Sequence, residues 1–207
     1  VKNGHQKDGT QRYYCKKCRV SFQDQYINKA CEQDTNYWIQ TLIIEGCGTS
    51  SIARLLKISP TTVTRRILAI ANMIRRPAIV TERTYEMDEL VTYIGRKKTR
   101  IYIAYAIDRK TREVVDYIVG RRNKRILGFV VNTLILSGAL EIRTDKCVIY
   151  PEIIPKEIHH VKNRGINYIE RKNLTLRTHL KRLNRRTIAY SKSLLVLSAI
   201  LKIYFWG

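Results

Sequence analysis

Glu170 is chemically isolated. Between Lys162 and Lys192 the chain carries ten Lys or Arg and one acid, and that acid is Glu170. Solvated surfaces normally mix both signs. A lone carboxylate among bases suits another task, holding a divalent cation beside a phosphate while the bases hold the rest of a polyanion. Two more carboxylates stand where they can join it: Asp88, within Tyr85-Glu86-Met87-Asp88-Glu89-Leu90, and Asp145, after Thr144. Hard oxygen ligands converging on one point suit magnesium or manganese. Two such ions, about 3.5–4 Å apart, activate a water or a 3′-hydroxyl and stabilise the leaving oxygen of an in-line phosphoryl transfer. The plainer reading makes Asp145 a loop cap and Glu170 a surface residue. Asp88 and Glu89 are adjacent, so on a strand they face opposite sides and one serves. Met87, Glu89 and Val91 share a face, which selects Asp88. Asp108 is expected instead to shape the turn Asp108-Arg109-Lys110-Thr111.

A second constellation lies near the start. Cys15 and Cys18, in Tyr14-Cys15-Lys16-Lys17-Cys18, offer two thiolates on a tight turn, the spacing of half a tetrahedral zinc site. A closed site needs four ligands, and His5 and Cys31, the other candidates nearby, lack knuckle spacing. The expectation is the second half of a zinc ribbon whose first half lies before Val1; the alternative is two free thiols on a hairpin.

These residues need elements to place them. Residues 35–76 read as helices. Ser59 caps a helix that has Pro60 at its first position, and Thr49 or Ser50 caps the one before. Ala53 allows a close crossing, with Leu56, Ile58, Val63 and Ile67 as core, and Trp38, Leu42 and Ile43 as the apolar face of the preceding helix. This pattern predicts a helix-turn-helix that presents Thr61, Thr62, Thr64 and Arg65 to a major groove; an ordinary helical pair with a basic face is the alternative. Pro77 ends the module. From Tyr85 the period changes to strands: Tyr85–Ile94, Arg100–Asp108 (nearly all apolar, hence central) and Glu113–Gly120. A helix follows with Ile126, Phe129, Val130, Thr133 and Leu134 on one face. Then come a strand from Ala139 to Asp145, a short strand near His160, a helix from Asn167 to Asn184 and a last helix from about Ser191. Ile169, Leu176, Leu180 and Leu183 are core. Three antiparallel strands, a helix, two more strands and closing helices match an RNase H-like fold. The class is therefore α+β, with three parts: a partial zinc ribbon (1–30), a helix-turn-helix region (31–78) and an RNase H-like catalytic domain (79–207).

Composition agrees with a polyanionic partner. The chain has 207 residues and a net charge of +22, with +8 in residues 1–80 and +14 in 81–207. Both parts are therefore expected to meet nucleic acid. Five cysteines without framework spacing point to a reducing compartment. The apolar run from Leu194 to Trp206 is too short for a membrane span and carries Ser198 and Lys202. No signal peptide is read at the start, and the expected location is the cytoplasm, on the nucleoid.

Several stretches resemble the insertion sequence one (IS-one) family of DDE transposases. They are Gln11-Arg12-Tyr13-Tyr14-Cys15-Lys16-Lys17-Cys18 with Phe22, the paired helices, Met87-Asp88-Glu89-Leu90, Ala106-Ile107-Asp108-Arg109-Lys110-Thr111, Thr144-Asp145, Asn167-Tyr168-Ile169-Glu170-Arg171-Lys172-Asn173-Leu174-Thr175-Leu176-Arg177, Arg185-Arg186-Thr187 and Ser191-Lys192-Ser193. The family separates its second Asp and its Glu by 24 residues, and residues 146–169 make that interval. DDE enzymes tend to carry a base seven residues after the Glu; here it is Arg177. The resemblance implies Asp88, Asp145 and Glu170 as catalytic ligands of magnesium or manganese, with cleavage at element ends and joining of 3′-hydroxyls to target DNA. It also implies self-association on double-stranded DNA and a zinc ribbon beginning before Val1. Arg171, Lys172, Arg177, Lys181 and Arg182 are expected to clamp phosphates, with a solvated helix face as the alternative. His160 is a candidate auxiliary group near the scissile phosphate, or a strand histidine facing its neighbours. Two competing functions stand beside transposition: a catalytically inactive helix-turn-helix regulator, and an RNase H-fold nuclease that hydrolyses without joining.

Overall fold

The computed structural model describes residues 1–24, 30, 32–161 and 166–207. Cys31, weighed above as a zinc ligand, lies outside the described residues.

At the start, β1 (Lys2–His5), β2 (Gln11–Tyr14) and β3 (Ser21–Gln23) form an antiparallel sheet in chain order. The turn between β2 and β3 holds both cysteines. Arg19 takes the left-handed conformation (φ 57°), and Cys15 N–H donates to Val20 O at 3.0 Å. Tyr13 stacks on Phe22 with ring centroids 5.7 Å apart, which ties the two strands together.

Three helices follow: α1 (Thr35–Ile44), α2 (Thr49–Leu56) and α3 (Pro60–Met73). Ser59 Oγ accepts from Thr62 N–H at 3.0 Å, so the expected cap is present. The cap position before α2 is Gly48, in extended backbone, rather than Thr49 or Ser50. In α1 the inward stripe is Thr35, Ile39 and Ile43, one residue every four. That rotation leaves Trp38 about half exposed (49%). Ala53, Val63 and Ile67 are buried as expected, whereas Leu56 and Ile58 are only partly covered.

The remainder is a five-stranded mixed sheet with helices on both faces. Its strands are β4 (Thr84–Ile94), β5 (Arg96–Asp108), β6 (Val114–Gly120), β7 (Glu141–Thr144) and β8 (His159–Val161), in the order β6-β5-β4-β7-β8. The first three pair antiparallel; β7 runs parallel to β4, and β8 parallel to β7. From Ile101 onward β5 is covered on both faces, and its alternation decides the layers. Ile101, Ile103, Tyr105 and Ile107 face one core, packed by α5 (Asn167–His179) and α6 (Leu194–Trp206). Ala104 and Ala106 face the other, where their small side chains admit α4 (Lys124–Leu136). α4 buries Val130 and Leu134 as expected, together with Leu127 and Val131, whereas Phe129 is 54% exposed. α5 ends at His179, five residues before the expected end. Leu180 leaves the helical region, and a 3₁₀ turn (Lys181–Leu183) follows. Leu180 and Leu183 are nonetheless buried beside Ile169 and Leu176.

α6 serves two cores. Leu197 and Leu201 pack with α5 on the sheet, while Ala199, Ile200 and Ile203 pack with α1, α2 and α3. Among the described residues, no helix is long and apolar enough to cross a membrane.

Candidate active site

β4 carries the centre of the site. Its even residues, Glu86, Asp88 and Leu90, face α5; its odd residues, Tyr85, Met87 and Glu89, face the α4 side. β7 pairs with β4 through Thr84↔Glu141, Tyr85↔Ile142 and Glu86↔Arg143 and then stops. Continuing that register sets Asp145 level with Asp88, just past the end of β7. There the edge of β4 is uncovered, so side chains from both faces of the strand reach round it. Asp88, Glu89 and Asp145 each offer an oxygen, and these three lie within 4.8 Å of one another. Among the described residues this is the one group of three or more His, Cys, Asp or Glu that comes together so. Glu89 therefore shares the point that strand alternation assigned to Asp88 and not to it.

Each carboxylate is held. Asp88 Oδ1 accepts from Glu89 N–H at 2.7 Å, and Oδ2 accepts from Asn173 Nδ2 at 2.7 Å. Tyr105 donates to Asn173 Oδ1 at 2.9 Å, which orients the amide. Asp145 Oδ1 accepts from Cys147 N–H at 3.0 Å, so it caps its loop and faces the cluster as well. Glu89 is nearly buried (3% exposed) and lies 3.1 Å from Arg122 Nε. The buried Tyr150 hydroxyl sits close to Glu89, although its geometry completes no hydrogen bond.

Burial pushes the Asp88 carboxyl up to about 7, aided by the charges of Asp145 and Glu89 and opposed by the hydrogen bonds from Glu89 N–H and Asn173. Burial also raises Glu89, with Arg122 opposing it. Three crowded carboxylates form an all-oxygen donor set, and a hard divalent cation is the charge that fits them.

Glu170 lies in the first turn of α5 and is exposed. It lines one cleft of about 740 Å³ with Asp88, Glu89, Asn173, Arg177 and Arg185, outside the tight cluster. Arg177 Nη1 donates to Leu183 O at 3.1 Å. Burial lowers its pKa, as does the charge of Arg185. Arg171 is exposed, but Lys172 lines a separate cleft of about 360 Å³ with Asp108, Glu113 and Trp206. Lys181 is exposed on the 3₁₀ turn, whereas Arg182 turns inward and donates to Ser191 Oγ at 2.9 Å. Asp108 accepts from Lys110 N–H at 2.6 Å and shapes its turn as expected. His160 Nδ1 is 3.5 Å from Glu141, on the edge strand away from Asp88.

In the helical module, Thr61 and Arg65 are exposed. Thr64 Oγ1 is spent on Pro60 O at 2.9 Å, and Thr62 Oγ1 lies 2.8 Å from Ser59 Oγ. Near the start of the chain, hydrogen bonds from Cys18 and from the Lys17 backbone hold the Cys15 thiol below its usual range. That is the direction a metal-binding thiolate needs.

A model of the IS1 transposase family matches residues 79–205. The chain belongs to the IS1 transposase family. Its function is that of a DDE transposase, a polynucleotidyl transferase. The InsB protein of insertion element IS1 9 from Escherichia coli (strain K12) is 31% identical to this transposase over 139 residues, covering 67% of this chain and 78% of InsB. The InsB protein of Shigella flexneri is 33% identical over 108 residues, covering 52% and 82%. Among solved structures, the HTLV-2 integrase catalytic core domain in complex with magnesium aligns at TM-score 0.38 and 15% identity, covering 62% of this chain and 86% of that one. In the transposase, Glu86, Tyr105, Asn173 and Arg122 surround the carboxylates without having been singled out from sequence. Their partners are far away in the chain. Asn173 stands three residues after Glu170, on the same helical face, and that spacing was the one available signal.

Proposed function

We propose that Asp88, Asp145 and Glu170 are the catalytic carboxylates of transposition, on an RNase H-like domain, and that they hold magnesium or manganese. The observation that carries this is the meeting of Asp88 and Asp145 at the open edge of β4, beside a cleft that Asp88 lines together with Glu170 and Arg177. The antiparallel trio flanked by two parallel strands supports the RNase H-like reading. When bound, the cation supplies Lewis-acid stabilisation of the charge that develops on the phosphate. The chain's own residues do the rest. Asn173 and Glu89 N–H fix the two oxygens of Asp88. Arg177 and Arg185 line the same cleft as Asp88 and Glu170 and take the phosphates flanking the cut. Arg122 balances Glu89, so the cluster is not left with three unopposed charges.

DNA is held by the helix-turn-helix through Thr61 and Arg65, with Thr62 and Thr64 shaping that surface, and by Arg171, Lys172 and Lys181. Arg182 has a structural task at Ser191 instead. The Cys15–Cys18 turn supplies the second half of a zinc ribbon's ligands, and the transposase self-associates on paired element ends in a prokaryotic cytoplasm. His160 pairs with Glu141, and no catalytic step is given to it.

A second arrangement, with Glu89 as a third ligand, is favoured by its place in the cluster. One experiment separates the two. Cleavage and strand transfer are measured with magnesium or manganese on a duplex bearing the element end, comparing the native chain with Glu170→Gln, Glu89→Gln and Asp145→Asn. Loss of about 10³-fold, roughly 4 kcal/mol of barrier, is expected for Glu170→Gln and Asp145→Asn, with DNA binding retained. Native rates for Glu170→Gln, with loss confined to Glu89→Gln and Asp145→Asn, would transfer the third role to Glu89. Nicking without joining in the native chain would assign a nuclease.

A further inference from the structure

Glu86 is fully buried on β4, two residues from Asp88 and on the same face. A buried carboxylate is costly unless it is paired, and its partners here are specific. Oε2 accepts from Ile169 N–H at 2.9 Å, and the N–H of Tyr168 is also directed at this carboxylate. Both belong to the first turn of α5, where N–H groups have no partner within the helix. The position before that turn, Ile166, offers no side-chain cap. Glu86 therefore caps α5 from a neighbouring strand, 83 residues away in sequence. On the other side of the carboxylate, Arg109 Nε lies 3.0 Å from Oε1. The Arg109 guanidinium sits 5.3 Å from the Tyr168 ring centroid, and Arg112 sits 4.6 Å from it. Strand, turn and helix are thereby clamped at one point.

We infer that Glu86 is a positioning residue for the third carboxylate: by capping α5 at Ile169 it sets Glu170, the next residue, against the strand that carries Asp88. α5 is fastened to β4 twice, Ile169 to Glu86 and Asn173 to Asp88, about one helical turn apart. Two ties fix the rotation of the helix as well as its approach. With the Asn173 tie alone, the first turn can pivot and carry Glu170 away from the cleft. The inference rests on the reading of Glu170 as a ligand of the cation.

The test is Mn²⁺ binding to the purified full chain without DNA, read as loss of the free-ion signal in electron paramagnetic resonance. Four proteins are compared: native, Glu170→Gln, Glu86→Gln and the double variant. Glu86→Gln keeps an acceptor for Ile169 N–H but turns an amide N–H toward Arg109. It is expected to weaken Mn²⁺ binding about tenfold, the usual size of an effect on a group that orients a ligand. In the Glu170→Gln background the same change is expected to do nothing, because the residue it acts through is gone. Equal weakening in both backgrounds, or none in either, overturns the inference while leaving Glu170 a ligand. Unchanged binding in Glu170→Gln itself removes Glu170 as a ligand, and the inference falls with it. If Glu86→Gln fails to melt cooperatively, Glu86→Asp takes its place. It keeps the charge beside Arg109, shortens the reach to Ile169 and is read the same way.

Discussion

Replacing Asp88 by Asn is expected to abolish strand transfer and to make the metal-free protein more stable at pH 8. The fold holds this carboxyl at about 7, against an ordinary value of 3.8. Its folded-state pKa thus lies above the unfolded one, and the neutral acid is the form the fold prefers. The stability this group contributes is fully present below pH about 4 and is lost as pH rises through about 7. At pH 8 the accumulated cost is roughly 4 kcal/mol, and at pH 5 roughly 1.7 kcal/mol. Asn removes that cost. The bonds from Glu89 N–H and Asn173 Nδ2 to the carboxylate are already counted in that pKa, and the neutral acid, like Asn, has one carbonyl oxygen to accept with. The gain is therefore about 4 kcal/mol at pH 8, or roughly 8–16 °C in Tm for a chain of this size, and about 1.7 kcal/mol at pH 5. Thermal melting of both proteins with chelator at the two pH values measures it. A difference in Tm that does not change between pH 5 and pH 8 would refute the reasoning, whatever its absolute size. Added Mg²⁺ should raise the Tm of the native protein and leave the variant's unchanged.

Two further outcomes follow from single contacts. Gly46 has φ +79°, and a Cβ there would come within 2.2 Å of His179 O. Gly46→Ala should therefore cost about 2–4 kcal/mol in urea unfolding; a loss below 0.5 kcal/mol would mean that the α1–α2 turn does not rest on the end of α5. Asn173→Ala should lower strand transfer about 10–100-fold through Asp88 with DNA binding unchanged, and a native rate would show that Asp88 needs no such tether.

The layers of the sheet were readable because burial imposes a period. Ile101 to Ile107 is apolar on both faces and could only be central, and Ser59-Pro60 and Asp108-Arg109-Lys110-Thr111 are local devices whose partners lie within four residues. What was not readable depends on distant partners or on strand ends. Alternation excluded Glu89 from the point shared by Asp88 and Asp145, but that rule assumes a covered strand, and β7 stops before Asp88. Glu86 looked like any strand acid because its partner N–H belongs to a helix 83 residues on. Trp38 and Phe129 were assigned inward on hydrophobicity alone, whereas the stripes of α1 and α4 are built from smaller residues that let the helices lie closer. Arg182 shared a basic run with true surface residues, and only the early end of α5 turned it inward.

The double duty of α6 has a mechanical consequence. Leu197 and Leu201 belong to the sheet's core, while Ala199, Ile200 and Ile203, from the same turns, belong to the core of the first three helices. The exposed end of α3 and the carboxylate cleft are therefore two jaws of one caliper, joined by a shared helix and not by a tether. A caliper measures. On the proposed function, in which Thr61 and Arg65 meet base pairs and Asp88 takes the phosphodiester, the packing of α6 sets the offset between the two. Its unit is the base pair, and an end sequence lengthened by one base pair between the two would present the wrong phosphate, turned by about a tenth of a helical repeat.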